Sequence, residues 1–477
     1  MKTRRVTSLA ALLALAIAAF LTSGCAGGSP ASTLAGRLLS VADLPAGWSA
    51  APTNSSTVQT SAPCLSSLTA NPQGPAFASA AFVQGTSIPV LGEALSAGPR
   101  AQQRWQRLNK ALARCRSATI TVAGTKAAVA IAPLPFPRVG SASAAYAWTF
   151  TVEGIRFGTD LILFQAGTYA GYLVYSDLGS PTTATVEAFA GAAVAKAVHG
   201  STAPVPGSVS IASAPVLTAH TAMGAVGYRV IGSGPPLVLI VGYSTTMEGW
   251  DRLFVDALAQ RYRVVIFDNA GIGATAALPA PLTIDAMADQ TSALITALGL
   301  GRPDILGWSM GSMIAQALAA LHPGQVRRLV LCATYPGNGT AVLPSQQAMN
   351  ALNSGDEQQV LTDLFPAGQA GAQDAYLASI SSYPPAPSAP AGIVADQGQA
   401  VRGWWAGNDA AGKRTATIAA PTLIADGTAD RLDPLANSRT LASLIPGAKL
   451  VLYPGAGHAF LFQDQAAFVP LIESFLG

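Results

Sequence analysis

After Ala219 the chain alternates short apolar runs with helical stretches, and this alternation most restricts what it can fold into. Strands are expected near residues 227–231, 237–241, 262–268, 304–306, 328–332, 422–425 and 449–453. Between them, apolar residues recur at helical spacing over 250–260, 284–298, 310–321, 435–444 and 465–476. Strands separated by helices pair in parallel through right-handed crossovers, and helices then cover both faces of the sheet. The expected class is α/β, a doubly wound, mostly parallel sheet. The alternation stops between 333 and 420, where a mixed helical and proline-rich insertion includes Pro384-Pro385-Ala386-Pro387. Insertions of this length are usually functional, so residues 334–419 are expected to form a lid.

At 477 residues and 50% hydrophobic, the chain has material for two or three domains and more than one core. Its net charge of +3 is thinly spread, with no basic run beyond the extreme N-terminus, which argues against a nucleic-acid partner. Residues 1–24 read as an export signal: Lys2, Arg4 and Arg5 precede an apolar stretch over 6–20 that is short for a membrane span. The closing Leu21-Thr22-Ser23-Gly24-Cys25 resembles a bacterial lipobox, with Thr22 where leucine is usual, and implies lipid attachment at Cys25 and a membrane anchor. Residues 25–33 are a tether, 34–198 a smaller α+β domain, 199–218 a linker rich in Ser, Ala, Pro and Gly, and 219–477 the α/β domain. Cys64 and Cys115 fall in the α+β domain, where an oxidising compartment leaves them free to pair; Cys332, inside an apolar run, reads as a buried thiol.

Chemistry concentrates at Gly307-Trp308-Ser309-Met310-Gly311, where a strand pattern gives way to a helical one. A serine at a sharp strand-to-helix turn exposes its hydroxyl, and flanking glycines let the backbone turn without a clash. Such a hydroxyl attacks only when a base takes its proton and a third group orients the base. Of the four histidines, His199 and His220 flank the linker, and His322 ends a helix. His458 follows a strand in the Gly-rich loop Pro454-Gly455-Ala456-Gly457 and is the expected base. The loop 425–434 offers three acids: Asp426 suits a turn cap, Asp433 before Pro434 suits a helix N-cap, and Asp430 between them is the expected orienting acid. Residues 34–198 offer no ligand cluster and no nucleophile with a base, and acyl-enzyme chemistry at the serine is expected to need neither metal nor organic cofactor.

The order Ser309, Asp430, His458 resembles that of the α/β-hydrolase fold. Residues 225–477 are similar to cap-bearing members of the epoxide-hydrolase, esterase and cofactor-free haloperoxidase type. The likeness rests on Gly234-Pro235-Pro236 through Gly242, Asp268-Asn269-Ala270-Gly271-Ile272-Gly273, Gly307 to Gly311 with Met313-Ile314-Ala315-Gln316, 421–430, and Gly457-His458. It implies backbone oxyanion donors at Tyr243 and Met310, although Val241 stands where histidine is usual and Ala270 where arginine is common. A serine nucleophile points away from epoxides and haloalkanes and toward esters, thioesters, amides or peracid formation. The expected partner is a small-molecule, apolar ester or acyl substrate, with peracid chemistry by the same triad as the alternative. Lid aromatics Phe365, Tyr376, Tyr383, Trp404 and Trp405 are candidate pocket residues, with Trp404 and Trp405 expected to bind substrate. The α+β domain, through Asp43-Leu44-Pro45-Ala46-Gly47-Trp48 with Trp105 and Cys115, resembles extracellular sensor-type domains of actinobacterial kinases and lipoproteins. That resemblance implies ligand binding and frames a third reading, a non-catalytic envelope receptor.

Overall fold

The structure is a computed structural model, and it describes residues 34–477 apart from 46, 52–57, 62–76, 85–87, 123–124, 153–154, 182, 204, 206–209 and 355. The expected signal and tether, with Cys25 and Cys64, lie outside the described residues. Two compact units are present, one reaching Val209 with the short segment Leu377–Pro384, the other comprising Ser210–Tyr376 and Pro385–Gly477.

The first unit is built on nine strands: β1 (Trp48–Ala50), β2 (Val58–Ser61), β3 (Phe77–Gln84), β4 (Val90–Ala97), β5 (Ser117–Val122), β6 (Thr125–Pro133), β7 (Ala142–Val152), β8 (Ile155–Ala166) and β9 (Tyr169–Leu178). They form one antiparallel sheet in the order β1-β3-β4-β9-β8-β7-β6-β5-β2. Side chains alternate between faces along each strand, so the register Tyr146↔Leu161 puts Tyr146 and Leu161 on one face and Ile162 on the other. Helix α1 (Pro99–Leu112) takes the Tyr146 face, where the Tyr146 hydroxyl donates to Asn109 Oδ1 at 2.7 Å. Helix α2 (Thr183–His199) takes the opposite face, packing Val186, Phe189, Ala190 and Ala193 with Ile162, Phe164, Leu173 and Tyr175. Cys115 is buried in this unit.

One strand residue breaks the apolar rule. Glu93 is 1% exposed; its Oε2 accepts the Leu39 N–H at 2.8 Å, and its Oε1 has no partner among the described residues. Burial pushes its carboxyl up to about 7, against an opposing pull from Lys196, which pairs with Asp43. The unfolded chain therefore ionises first, and stability falls as pH rises from the ordinary glutamate range to about 7, then levels off. Glu93→Gln is expected to flatten that slope and to gain about 2–3 kcal/mol over wild type at pH 8 and little at pH 4. Urea unfolding at the two pH values checks this.

The second unit carries β10 (Leu217–Thr221), β11 (Gly224–Ile231), β12 (Pro236–Ile240), β13 (Arg263–Phe267), β14 (Asp304–Trp308), β15 (Leu329–Cys332), β16 (Thr422–Gly427) and β17 (Lys449–Tyr453). The order is β10-β11-β13-β12-β14-β15-β16-β17, antiparallel at β10-β11-β13 and parallel from β13 onward. β14, β15 and β16 are buried along their whole length, and apolar residues dominate them, without a break in β15. Helices α3 (Arg252–Leu258), α4 (Ile284–Ala297) and α5 (Met310–Leu321) supply the crossovers. From β12 the chain moves outward to β13, then returns past β12 to β14. Direction therefore switches at β12, and in open α/β sheets ligands bind at the carboxyl ends beside such a switch.

Two sequence expectations need correction here. Part of the expected linker, from Ser210 on, is docked on this unit: Ile211 is fully buried, and Asp256 accepts the Ile211 N–H and the Ser210 hydroxyl, each at 2.7 Å. Its last residues open β10, which pairs with β11. Between β15 and β16 the insertion forms helices α6 (Gln346–Leu352), α7 (Glu357–Leu364), α8 (Ala370–Ile380) and α9 (Ala391–Trp405). Trp404, expected to bind substrate, is instead a core residue. It is fully buried, donates Nε1–H to the Tyr335 carbonyl at 3.0 Å, and lies so close to Gly337 that a Cβ there would sit 2.4 Å from its ring.

Candidate active site

The parallel register brings two chain segments side by side. Ile240 of β12 pairs with Gly307 of β14, so two residues further on Gly242 and Ser309 emerge together at the carboxyl end of the sheet. A Cβ built on Gly242 would lie 3.2 Å from the Ser309 Cβ, tighter than ordinary van der Waals contact, so glycine suits this position. Ser309 has φ 58° and ψ −125°, a left-handed conformation that L-residues adopt only when the surroundings impose it. The imposition comes from both sides. Its N–H donates to the Cys332 carbonyl at 2.9 Å, and Ser312 fastens the turn to β15 by accepting the Cys332 N–H at 2.9 Å while its hydroxyl lies 2.5 Å from the Gly307 carbonyl oxygen. The Ser309 side chain is partly exposed and caps nothing in α5, so the hydroxyl is left to the site.

The flanking glycines are required by contact. A Cβ on Gly307 would meet the Gly311 carbonyl oxygen at 2.4 Å, and one on Gly311 would meet that of Ile240 at 2.0 Å. Backbone atoms offer no rotamer escape, so Gly311→Ala is expected to cost about 3 kcal/mol or more and to displace the first turn of α5. A shift of the urea midpoint, alongside lost activity, measures it.

The loops after β16 and β17 are stitched to each other. Thr428 N–H donates to the Tyr453 carbonyl at 3.0 Å, Ala429 N–H to that of Ala456 at 2.9 Å, and Gly455 N–H to the Thr428 hydroxyl at 2.8 Å. This framework brings Asp430 Oδ2 to 2.7 Å from His458 Nδ1, with both side chains almost wholly buried. Asp430 Oδ1 accepts the N–H groups of Leu432 and Asp433, each at 2.8 Å, which fixes the carboxyl plane. Trp308 holds the base from the elbow side, its Nε1 donating to the His458 carbonyl at 3.0 Å. Of the other histidines, His322 meets Asp289 at 2.7 Å and ends α5, as its position in the sequence suggests.

The two acids set aside in the sequence flank Asp430, and oxygens of Asp426, Asp430 and Asp433 lie within 4.8 Å of one another. Among the described residues this is the one group whose carboxylates converge as metal ligands do. Its oxygens are largely taken internally: Asp426 accepts from the Ser438 hydroxyl at 2.7 Å, Asp433 from Asn437 Nδ2 at 2.9 Å, and Asp430 as above. Asp426 Oδ1 and Asp433 Oδ2 remain without partners among the described residues. Burial foremost, then the charge of neighbouring carboxyls, pushes both Asp426 and Asp433 well above the usual carboxylate range. The sequence left this arrangement unread because Asp433 faces inward instead of capping a helix; the α10 helix (Ala436–Leu444) has Leu435 at its N-cap.

Tyr243 follows Gly242 directly, and Met310 begins α5, so both oxyanion candidates sit on the two segments that the register places together. Trp405 tilts across Tyr335 at 5.0 Å between ring centres. Phe365 and Tyr376 join an aromatic series in which Tyr376 stacks on Phe462 at 5.1 Å and Phe462 meets Trp308 edge-on at 5.0 Å. Tyr383 is buried in the segment 377–384 that groups with the first unit.

The α/β-hydrolase fold family profile matches residues 235–465. A protein of Caulobacter sp. (strain K31) named "Putative carbamate hydrolase RutD" is 30% identical over 233 residues, covering 46% of this chain and 83% of that one. The pimeloyl-[acyl-carrier protein] methyl ester esterase of Nitrosomonas europaea is 26% identical over 272 residues, covering 53% of this chain and 100% of its own. Polyketide synthase ThaQ of Burkholderia thailandensis is 32% identical over 265 residues; the match spans 51% of this chain but 12% of that much longer protein. The chain belongs to the α/β-hydrolase fold family, and its relatives there are hydrolases and esterases.

Proposed function

We propose that the chain is an exported, lipid-anchored serine hydrolase that cleaves a carboxylic ester through an acyl-enzyme. The observation that carries this reading is the Asp430–His458 pair, delivered by two interlocked loops to the end of the sheet where the strained Ser309 elbow emerges. Ser309 attacks the ester carbonyl, His458 takes the hydroxyl proton and returns it to the leaving alcohol, and Asp430 holds the imidazole with Nε2 free to act. The backbone N–H groups of Tyr243 and Met310 receive the oxyanion. Water then repeats the sequence on the acyl-enzyme and releases the acid.

A p-nitrophenyl ester series of increasing acyl length tests the reaction. At least one member should be hydrolysed, with labelling by a fluorophosphonate probe; folded protein inert to every ester and to the probe would sink the reading. Export and anchoring rest on the sequence of residues 1–25, and the first unit would then direct the enzyme to its substrate in the envelope, closed by a Cys64–Cys115 disulfide. Cys25→Ser should move the protein from the membrane fraction to the soluble fraction of expressing cells, and an unchanged distribution would rule out the anchor.

A further inference from the structure

The loop that leaves β12 is pinned at each end. Before Gly242, Asn269 Nδ2 donates to the Val241 carbonyl at 2.9 Å, and further on Asp268 Oδ1 accepts the Met247 N–H at 2.8 Å. Both pins come from the loop after β13. A third comes from elsewhere. Ser244 has φ 61°, a conformation its own side chain disfavours, and its N–H donates at 3.0 Å to Gln397 Oε1. Gln397 sits in the middle of α9, a lid helix, and is fully buried, whereas Ser244 itself is exposed. Its neighbour Gly398 lies against the same loop, where a Cβ would stand 3.5 Å from the Tyr243 hydroxyl. The lid helix thus reaches the loop one residue beyond the expected oxyanion donor.

A buried glutamine is expensive unless its amide is used. Here Oε1 serves Ser244, while Nε2 is buried with no partner among the described residues. A merely space-filling position in an apolar lid would take leucine or methionine without that cost. We propose that Gln397 is a positioning residue: through the Ser244 N–H it holds the 242–244 loop in the left-handed turn that presents the Tyr243 N–H to Ser309, so that oxyanion stabilisation depends on the lid being seated. This rests on the hydrolase reading above.

The test separates loss of oxyanion stabilisation from general damage. A thionoester develops its charge on sulfur, which an oxyanion hole built for oxygen serves poorly, whereas nucleophile and base act on both ester types. In Gln397→Met and Gln397→Leu, kcat/KM for a p-nitrophenyl ester is expected to fall about 10- to 100-fold, carried by kcat, while that for its thiono analogue falls less than about threefold. A parallel fall in both substrates, or no fall in either, would overturn the inference. Hydrogen exchange on wild-type protein gives a measurement independent of variant folding: the amide of exposed Ser244 should be protected, and exchange at the rate of a free peptide would contradict the bond to Gln397. If wild type neither turns over esters nor takes a fluorophosphonate, the hydrolase reading has failed; if it does both and the substrate ratio is unmoved, only the role of Gln397 has.

Discussion

Ser309→Ala is expected to lower ester turnover by about 10⁵-fold or more and to leave the protein unlabelled by a fluorophosphonate, with its melting temperature within a few degrees of wild type. The expectation of intact folding follows from the environment of the hydroxyl. It caps no helix and bonds no backbone group that the fold depends on, whereas the Ser309 N–H and the neighbouring Ser312 carry the hydrogen bonds that hold the turn. Alanine keeps the same backbone conformation and the same strain. A collapse in stability would mean that the hydroxyl has a structural partner, and a retained label would place the nucleophile elsewhere.

Asp430→Asn should cost about 10⁴-fold in kcat with KM little changed. Two backbone N–H groups, of Leu432 and Asp433, converge on Oδ1 and will keep an oxygen there. The asparagine nitrogen is then forced into the Oδ2 position, 2.7 Å from His458 Nδ1, and donates to it. His458 must answer as an acceptor at Nδ1 and carry its proton on Nε2, the tautomer that cannot take a proton from serine. The substitution preserves shape and reverses one hydrogen bond, so the kinetic loss reports the tautomer and not the fold. An Asp430→Asn enzyme within about tenfold of wild type would favour one of the flanking acids as the orienting group.

The features legible in sequence are those whose physics is local. Strands β12 to β16 announce themselves because strands covered on both faces are built on apolar stretches such as 237–240 and 329–332, and the elbow does so because Gly307 and Gly311 have no room for a Cβ. Asp430 was separable from Asp426 and Asp433 by position in its loop, although the sequence supplied the wrong job for Asp433. β10 is not marked in the sequence, and its first two residues read as linker, because an edge strand needs no apolar run: it is Leu-Thr-Ala-His-Thr and buries only Ala219. In the first unit the alanine- and serine-rich β3 and the start of β7 carry little strand propensity and take their conformation from neighbours, which keeps them out of the sequence pattern. Ser312 and Gln397 were silent for a different reason. Each looks like an ordinary polar residue in a helix, and only the tertiary fold shows that one is sealed beneath the Ser309 turn and the other bonds the Ser244 N–H.

The central claim, that Ser309 forms an acyl-enzyme activated by His458, is tested most directly by trapping the intermediate. Wild-type protein mixed with excess p-nitrophenyl ester and quenched in acid during turnover should carry one acyl group per chain by intact mass, and peptide mapping should place it on Ser309. A burst of p-nitrophenol equal to the enzyme concentration should accompany it. Turnover with no adduct and no burst, or an adduct on any other residue, would contradict the account.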